Sequence, residues 1–291
     1  MPEQECVLPS PAKVNITLRI VSKRADGYHD LVSTFVRIDG VEEVSVRFRD
    51  ICNGNGKDVV QTYNARIDGE NLINSAISFL RKRNLPIPPL EVKVWKRIPP
   101  GSGLGGGSGN AASILRWAKN RWGGDVAPME TSVIGADVPF LFSGHRAALV
   151  RKIGDDFMPI EPPEGYAFLF LIPNWRVPTV YAFGKLDRYY ASSGWPMDED
   201  AAIDETLKLL NRLKRGDRVG LLPNDFLPAL AEHNDAYKEI FCSIEKTGAL
   251  AWGLSGSGAA AFAIFEDTCE AQRSKQKLSS CSLVDQIMVF A

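Results

Sequence analysis

A glycine-rich segment is the feature of the chain with the clearest chemical meaning. Residues 99–110 read Pro-Pro-Gly-Ser-Gly-Leu-Gly-Gly-Gly-Ser-Gly-Asn. An alternating apolar pattern before this segment predicts a strand, and apolar residues at helical spacing after it predict a helix. Backbone N–H groups at a helix N-terminus attract anions, and glycine lets an anion approach the backbone closely. The segment therefore predicts a phosphate-binding loop, with the Ser108 hydroxyl available to a phosphate or to a bound Mg²⁺.

Two better-known phosphate loops fit this segment less well. The pattern GxxxxGK[ST] is absent from the chain, whereas GxGxxG is present as Gly101, Gly103 and Gly106. A dinucleotide site needs an apolar strand of a parallel sheet before the loop, but Leu90–Val94 alternates with charged residues, as antiparallel strands do. A flexible glycine turn without a ligand is the remaining alternative. The strand on one side and the helix on the other argue against it.

Lys13 and Asp137 are the two charged residues whose surroundings point to a reaction. Lys13 lies among apolar residues next to an alternating strand, and an inward-facing lysine is costly unless it is paired or functional. Its alternative role is on a solvated strand face. Asp137 precedes the apolar Val138–Phe140, which could shield it from water, and it is also a good N-cap for a short helix. Capping is compatible with a role as a general base.

Alternation and helical spacing define the elements that must position these residues. Predicted strands are Val14–Ile20, Val44–Phe48, Leu90–Val94, Tyr166–Ile172, Ala259–Phe265 and Val284–Phe290. Predicted helices are Asn71–Arg83, Ser108–Trp122 with Ser108 as a cap, Val180–Tyr190, Asp200–Arg215 and Asp225–Lys246. This mixed order predicts an α+β fold with two domains, residues 1–155 and 156–291.

Bulk composition excludes several classes of protein. The chain has 291 residues and a formal net charge of -1, which argues against nucleic acid or an anionic membrane as a partner. Its 5 cysteines form no CxxC pair, so a zinc site or a disulfide framework is not expected. The first residues lack the apolar core of a signal peptide, and no apolar stretch is long enough to span a bilayer. We therefore expect a cytoplasmic protein.

Four ordered segments resemble motifs of the GHMP kinases, a family of small-molecule kinases. They are residues 9–16 (Pro-Ser-Pro-Ala-Lys-Val-Asn-Ile), the glycine loop at 99–112, residues 135–140 (Gly-Ala-Asp-Val-Pro-Phe) and the Gly-Ser-rich loop at 253–259. The resemblance implies phosphorylation of an alcohol by ATP with Mg²⁺, in a cleft between two α+β domains. It also implies that Lys13 pairs with Asp137, which would take the proton of the acceptor hydroxyl.

The resemblance also implies a nucleotide site. Asn71 and Lys96 match adenine-site positions of the family, although Asn71 is also a good N-cap for the helix that follows. The phosphates would be held by loop residues Pro99, Gly101, Gly103, Leu104, Gly105, Gly106, Gly107 and Ser108. Metal ligands stay open, and so does the choice between monomer and homodimer.

A further likeness concerns the substrate. Gly27-Tyr28-His29, together with Val177–Thr179 and Phe183, resembles the family member whose alcohol substrate carries a cytidine diphosphate. In that case Tyr28 and Phe183 would stack on the cytosine and His29 would bind its edge. The remaining substrate residues implied are Asn15, Thr179, Ser255 and Gly256. Without the resemblance, Tyr28 and His29 read as ordinary turn residues, and Ser255–Gly256 as a tight loop.

Two rival functions and two departures from the family pattern remain. The rivals are a kinase of homoserine or a mevalonate derivative, and a catalytically silent ligand-binding regulator, against which the presence of both Lys13 and Asp137 argues. Gly109 stands where the family usually has a second serine. The segment 110–135 is shorter than usual, which weakens the helix expected before Asp137.

Overall fold

The computed structural model describes residues 5–49, 56–67, 69–162 and 165–291. The chain divides into two compact units. Unit 1 consists of Met1–Lys13, Arg37–Pro100 and Gly105–His145, and unit 2 of Val14–Val36, Gly101–Leu104 and Arg146–Ala291. The domain boundary at 155/156 stays a prediction. Cys52, one of the 5 cysteines, lies outside the described part of the chain.

Unit 1 combines strands with helices in mixed order. Strand β1 (Cys6–Lys23) begins in this unit and strand β2 (His29–Phe48) ends in it. The other elements are β3 (Val59–Tyr63), α1 (Leu72–Lys82), β4 (Leu90–Trp95), α2 (Gly106–Trp122), a 3-10 helix (Pro128–Val133) and α3 (Val138–Ser143). β4 lies between β3, to which it is parallel, and β2, to which it is antiparallel.

Apolar periodicity accounts for the packing of unit 1. Val44 and Val46 of β2 lie opposite Val94 and Val92 of β4, and all are buried, while the residues between them are more polar. Helix α1 presents the buried residues Ile73, Ala76, Ile77 and Leu80 at helical spacing and packs against α2. The loop between β4 and α2 is therefore held at both ends by packed elements.

Unit 2 contains both helices and strands. They are β5 (Ala147–Lys152), β6 (Asp156–Pro159), β7 (Ala167–Pro173), α4 (Thr179–Tyr190), α5 (Glu199–Lys214), β8 (Gly220–Leu221), α6 (Phe226–Ala229), a 3-10 helix (Ala231–His233), α7 (Asn234–Glu245), β9 (Ala251–Leu254), β10 (Ala261–Phe265), α8 (Thr268–Leu278) and β11 (Val284–Phe290). Five of the strands form a sheet in the order β11-β7-β10-β9-β8, in which β7 is antiparallel to both neighbours. β5 pairs with β2 and with β6.

The core of unit 2 lies between this sheet and the helices. Leu169 and Leu171 of β7 belong to one apolar cluster with Leu186 of α4 and Ile240 of α7. Every residue of β7 is buried, which explains why its sequence is a continuous apolar run rather than an alternating one. Within the described ranges, no helix has the length and apolar character needed to cross a bilayer.

Two of the sequence predictions about helices are wrong. The single helix predicted for Asp225–Lys246 is interrupted: α6 ends at Ala229, and Leu230, fully buried in the apolar cluster of unit 2, has φ -86° and ψ 55°, outside the helical region. Ser108 does not cap α2. The N-cap is Gly105, and Ser108 lies inside the first turn.

The other predicted elements are present with shifted ends. β1 and β2 are longer than the alternating stretches that predicted them. Before Asp137 there is only the six-residue 3-10 helix, in line with the weakened helix expected there. Asp137 is the N-cap residue of α3 with proline in the first turn, but its side chain makes no capping hydrogen bond.

Candidate active site

The glycine loop enters α2 through a series of left-handed backbone conformations. Gly101, Gly103 and Gly105 have φ of 75°, 80° and 67°, values that L side chains rarely adopt. Helix α2 then runs for 17 residues from Gly106. Its first amides have no partner within the helix and point out of its N-terminus. Such a helix N-terminus favours anions, and phosphate binding by the loop stays a prediction.

In unit 2, the first part of the loop is fixed by the loop at Ser255. The fully buried Ser255 donates its hydroxyl to the carbonyl of Gly103 at 3.1 Å, and its Oγ accepts from the backbone N–H of Asn15 at 3.3 Å. A Cβ on Gly103 would lie 2.1 Å from the Ser255 carbonyl oxygen. Ser102 accepts from the backbone of Ala260 at 2.9 Å. Ser255 thus shapes the loop through its hydroxyl.

In unit 1, the second part of the loop lies against the predicted catalytic pair. Lys13 Nζ is 3.5 Å from Asp137 Oδ2, with 6% of the lysine side chain and 25% of the aspartate side chain exposed. A Cβ on Gly105 would lie 3.0 Å from Lys13 Cγ and 3.2 Å from Asp137 Oδ2. The structure therefore places a buried ammonium and a partly exposed carboxylate directly beside the N-cap of α2.

Gly109 is explained by the path of the chain beside it. A Cβ at this position would lie 1.7 Å from the carbonyl oxygen of Pro11, two residues before Lys13. Glycine is thus required by the close approach of α2 to β1 in unit 1. The serine that the family usually has at this position would not fit the backbone of this chain.

We expect Gly109→Ala to lower the free energy of unfolding by about 1–3 kcal/mol or more, because overpacking against rigid backbone cannot relax easily. Urea denaturation measures this change. Gly107→Ala is the matched control: its Cβ would meet only Leu72 Cδ1, at 3.8 Å, so it should not destabilise. A Gly109→Ala protein as stable as wild type would contradict the tight approach to Pro11.

The two predicted adenine-site residues both have structural partners in unit 1. The Asn71 side chain accepts a hydrogen bond from the backbone N–H of Ile73 at 3.0 Å and so caps α1. Capping was the alternative to an adenine contact that the sequence offered for this residue. The Lys96 amine is buried and donates to Glu42 at 2.6 Å and to Asn110 at 3.0 Å. Burial lowers the pKa of this amine, although Glu42 opposes the shift. A contact of either residue with adenine stays a prediction.

A second group of predicted residues meets in unit 2. His29 stacks on Phe183 with ring centroids 4.8 Å apart, and Trp195 meets its ring edge-on at 5.6 Å. Its Nε2 lies 2.7 Å from Asp187 Oδ1, and because a carboxylate only accepts, Nε2 carries the hydrogen. Tyr28, the residue before His29 in the sequence, is 62% exposed.

Asp187 links His29 to a second cation. Lys23 Nζ donates to Asp187 Oδ2 at 2.6 Å. Burial acts to raise the pKa of Asp187, but the hydrogen bonds from Lys23 and His29 outweigh it and hold the pKa below its ordinary value. Asp187 therefore stays ionised at neutral pH and fixes the orientation of the His29 ring.

The remaining predicted substrate residues of unit 2 are also placed. Asn15 is buried and donates its side-chain amide to Ser33 Oγ at 2.9 Å. A Cβ on Gly256 would lie 3.3 Å from Asn15 Oδ1, so this glycine permits the close approach of its loop. The Ser257 hydroxyl lies 3.4 Å from that of Thr179, at the start of α4.

Sequence reasoning missed several residues of these clusters, among them Asp187, Glu42 and Asn110. Asp187 follows Phe183 by four positions on α4, a spacing that puts both on one face of a helix and could have indicated the link to His29. Glu42 and Asn110 gave no such local signal, because their partners lie elsewhere in the sequence. Among the described residues, no group of three or more His, Cys, Asp or Glu side chains could hold a metal ion.

Comparisons with known proteins identify the family of the chain. The family model for the GHMP kinases N terminal domain matches residues 71–145, and the model for GHMP kinases C terminal matches residues 201–282. Together they cover more than half of the chain.

Relatives are similar over almost the whole length. A protein of Pelodictyon phaeoclathratiforme named 4-diphosphocytidyl-2-C-methyl-D-erythritol kinase is 31% identical over 274 residues, 91% of this chain and 90% of its own. A protein of the same name from Porphyromonas gingivalis is 31% identical over 93% of this chain and 95% of its own.

Solved structures share the fold. A crystal structure of 4-(cytidine 5'-diphospho)-2C-methyl-D-erythritol kinase matches with a TM-score of 0.78 at 24% identity, covering 99% of this chain and 98% of that one. Homoserine kinase from Cytophaga hutchinsonii matches with a TM-score of 0.68 at 18% identity, covering 99% and 95%. The chain is an α+β protein that belongs to the GHMP kinase family of ATP-dependent small-molecule kinases.

Proposed function

We propose that this protein transfers the γ-phosphoryl group of ATP to the tertiary 2-hydroxyl of 4-diphosphocytidyl-2-C-methyl-D-erythritol, a step of non-mevalonate isoprenoid precursor biosynthesis. The observation that carries the reaction type is the Lys13–Asp137 pair next to Gly105, at the start of the phosphate loop helix. The relatives of the same name over more than nine-tenths of the chain support the substrate.

In this proposal Asp137 is the general base and Lys13 stabilises charge. Asp137 takes the proton of the acceptor hydroxyl while the oxygen attacks the γ-phosphorus. Lys13 holds the carboxylate in place and offsets the charge that develops on the reacting oxygens. Phosphoryl transfer passes through a loose transition state, so alignment and charge stabilisation matter more than a strong nucleophile.

The phosphates would be held by the loop and by α2. The amides at the helix N-terminus face the anion, and the buried Ser108 contributes a hydroxyl. Mg²⁺ usually binds one or two protein oxygens together with phosphates and water, so a single hydroxyl donor fits an ion delivered with ATP. When bound, it would neutralise charge on the β- and γ-phosphates.

Base recognition falls to the aromatic group of unit 2. The ring of Tyr28 is exposed, and the ring of Phe183 contacts His29. The Nε2–H of His29 is hydrogen-bonded to Asp187. In the proposal, a cytosine binds between Tyr28 and Phe183, and His29 contacts its edge. A stacked base is worth about 1–3 kcal/mol in single-strand binding proteins.

Substrate-dependent release of ADP tests the proposal directly. The purified protein with Mg²⁺ and ATP should release ADP on addition of 4-diphosphocytidyl-2-C-methyl-D-erythritol, and much more slowly with homoserine or mevalonate. A preference for either of those alcohols would overturn the substrate assignment but not the kinase reaction. Absence of ADP release with every alcohol would favour a ligand-binding regulator.

We expect Tyr28→Ala to raise KM for the cytidine substrate roughly five- to thirtyfold, corresponding to about 1–2 kcal/mol of lost stacking. Stacking lies away from the phosphoryl group and stabilises ground state and transition state equally, so kcat and KM for ATP should change little. Steady-state kinetics with each substrate varied in turn measures all three constants.

Tyr189→Ala is the matched control, because Tyr189 is another half-exposed tyrosine of unit 2. It should leave all constants near wild type. Phe183→Ala should also raise KM for the cytidine substrate, but it removes packing against His29 and Phe226, so its stability must be measured alongside. If neither Tyr28→Ala nor Phe183→Ala weakens the cytidine substrate, base recognition lies elsewhere.

A further inference from the structure

A buried carboxylate in unit 1 belongs to none of the recognised motifs. Glu42, on β2, is 2% exposed. Its Oε1 accepts from the backbone N–H groups of Arg97 at 2.9 Å and Ile98 at 2.8 Å. Its Oε2 accepts from the Lys96 amine at 2.6 Å and the Asn110 amide at 2.9 Å. All these donors lie in one network around a single side chain.

These donors flank the glycine loop on both sides. Residues 96–98 connect β4 to the loop, and Asn110 lies in the second turn of α2, just after it. The Asn110 amide also donates to Ser10 Oγ at 2.8 Å, on β1 close to Lys13. Lys96 Nζ would lie 3.2 Å from a Cβ on Gly106, the first residue of α2. One carboxylate is thus bonded to the residues before the loop and to the helix after it.

The network fixes one arrangement of these residues more than it adds to the stability of the fold. A buried ion pair gives little net stability relative to an apolar pair, but loss of one partner leaves an uncompensated charge and is strongly unfavourable. The two backbone N–H groups, moreover, bond to the same oxygen, Oε1 of Glu42. Glu42 therefore determines where residues 96–98 lie relative to α2.

We infer that Glu42 is a positioning residue for the nucleotide phosphates. It aligns the entry to the loop, through Arg97 and Ile98, with the N-terminus of α2, through Asn110 and Lys96. The amides at the N-terminus of α2 are then in place before the nucleotide binds, and no binding energy is spent on ordering them. The inference rests on the proposed function only in taking ATP as the phosphate donor.

Direct nucleotide binding to Glu42→Gln tests this role. Glutamine keeps the size of the side chain but removes the charge facing Lys96 and places an N–H₂ group where one oxygen stood. We expect the dissociation constant for ADP, measured by calorimetry without the alcohol substrate, to rise roughly tenfold or more, because bonds to charged groups are the strong ones in such a network. In kinetics, KM for ATP should rise with it, while KM for the alcohol changes little.

Asp58→Asn is the matched control within unit 1. Asp58 also binds a basic side chain, Arg81 at 2.6 Å, and a backbone N–H of β4, Leu90 at 2.9 Å, but it contacts neither flank of the loop. It should destabilise the fold without weakening ADP binding. Equal effects of both variants on ADP affinity, or an unchanged affinity in Glu42→Gln, would overturn the inference.

Asn110→Ala keeps the test available if Glu42→Gln does not fold. It breaks the bonds from Asn110 to Glu42, Lys96 and Ser10 and leaves the ion pair between Lys96 and Glu42 intact. We expect a rise of about threefold in the ADP dissociation constant, and an unchanged value would count against the network. Because ADP binding is measured without the alcohol, failure of the cytidine assignment leaves this result unaffected.

Discussion

Asp137→Asn should reduce kcat by about 10²- to 10⁴-fold, the usual contribution of a general base. Asparagine preserves the shape of the side chain but cannot take the proton of the acceptor hydroxyl. The substitution costs no helix cap, because the Asp137 side chain makes no capping bond to α3. We therefore expect dissociation constants for ATP and the alcohol within a few-fold of wild type. Steady-state kinetics and calorimetry on the same preparation measure both.

Two further variants test whether the loss of kcat in Asp137→Asn reflects a role as general base. Asp39→Asn changes an aspartate of unit 1 whose side chain is 67% exposed, and it should leave kcat unchanged. Lys13→Met removes the partner of Asp137, and the double variant should be little worse than the more damaging single one, because residues that act together are not additive. If Asp137→Asn retains turnover within a few-fold of wild type, Asp137 is not the base.

Much of the fold follows from local patterns. Val44 and Val46 alternate with polar residues on β2 and are buried, and the apolar spacing of α1 matches its packed face. The glycine loop was recognisable because its conformations require glycine, at Gly101, Gly103 and Gly105. Sequence patterns carry this information because backbone geometry and one-sided burial are local properties.

Some elements cannot be recognised from local sequence patterns. β5 is buried at four successive residues, Ala147–Val150, so its sequence does not alternate and periodicity cannot separate a buried strand from a buried helix. β8 has only two residues, too few for any pattern. The break in the predicted helix 225–246 depends on Leu230, whose conformation is set by tertiary packing.

The residues of the candidate site likewise fall into those that the sequence indicates and those that it does not. Lys13 and Asp137 could be named from their apolar neighbours and from motifs, and the structure brings their side chains together. Glu42 could not be named in this way, because the hydrogen-bond donors that it holds lie 54 to 68 positions away in the sequence. The meaning of Gly109 was likewise inaccessible, since it depends on the carbonyl of Pro11 against which α2 packs.

Gly105→Ala should reduce kcat by on the order of 10²-fold, the loss expected when reacting groups are displaced by about 1 Å. Gly105 has φ 67°, and its new Cβ would lie 3.0 Å from Lys13 Cγ and 3.2 Å from Asp137 Oδ2, so the methyl group strains the loop and presses on both members of the pair. Gly216→Ala is the control: Gly216 has a similar φ of 77° and lies outside the loop, and its Cβ would meet no described atom within 4 Å, so this variant should retain most of its kcat. Unfolding midpoints of both variants show whether the fold survives. Equal turnover in the two alanine variants would mean that the contact between Gly105 and the Lys13–Asp137 pair does not control the reaction.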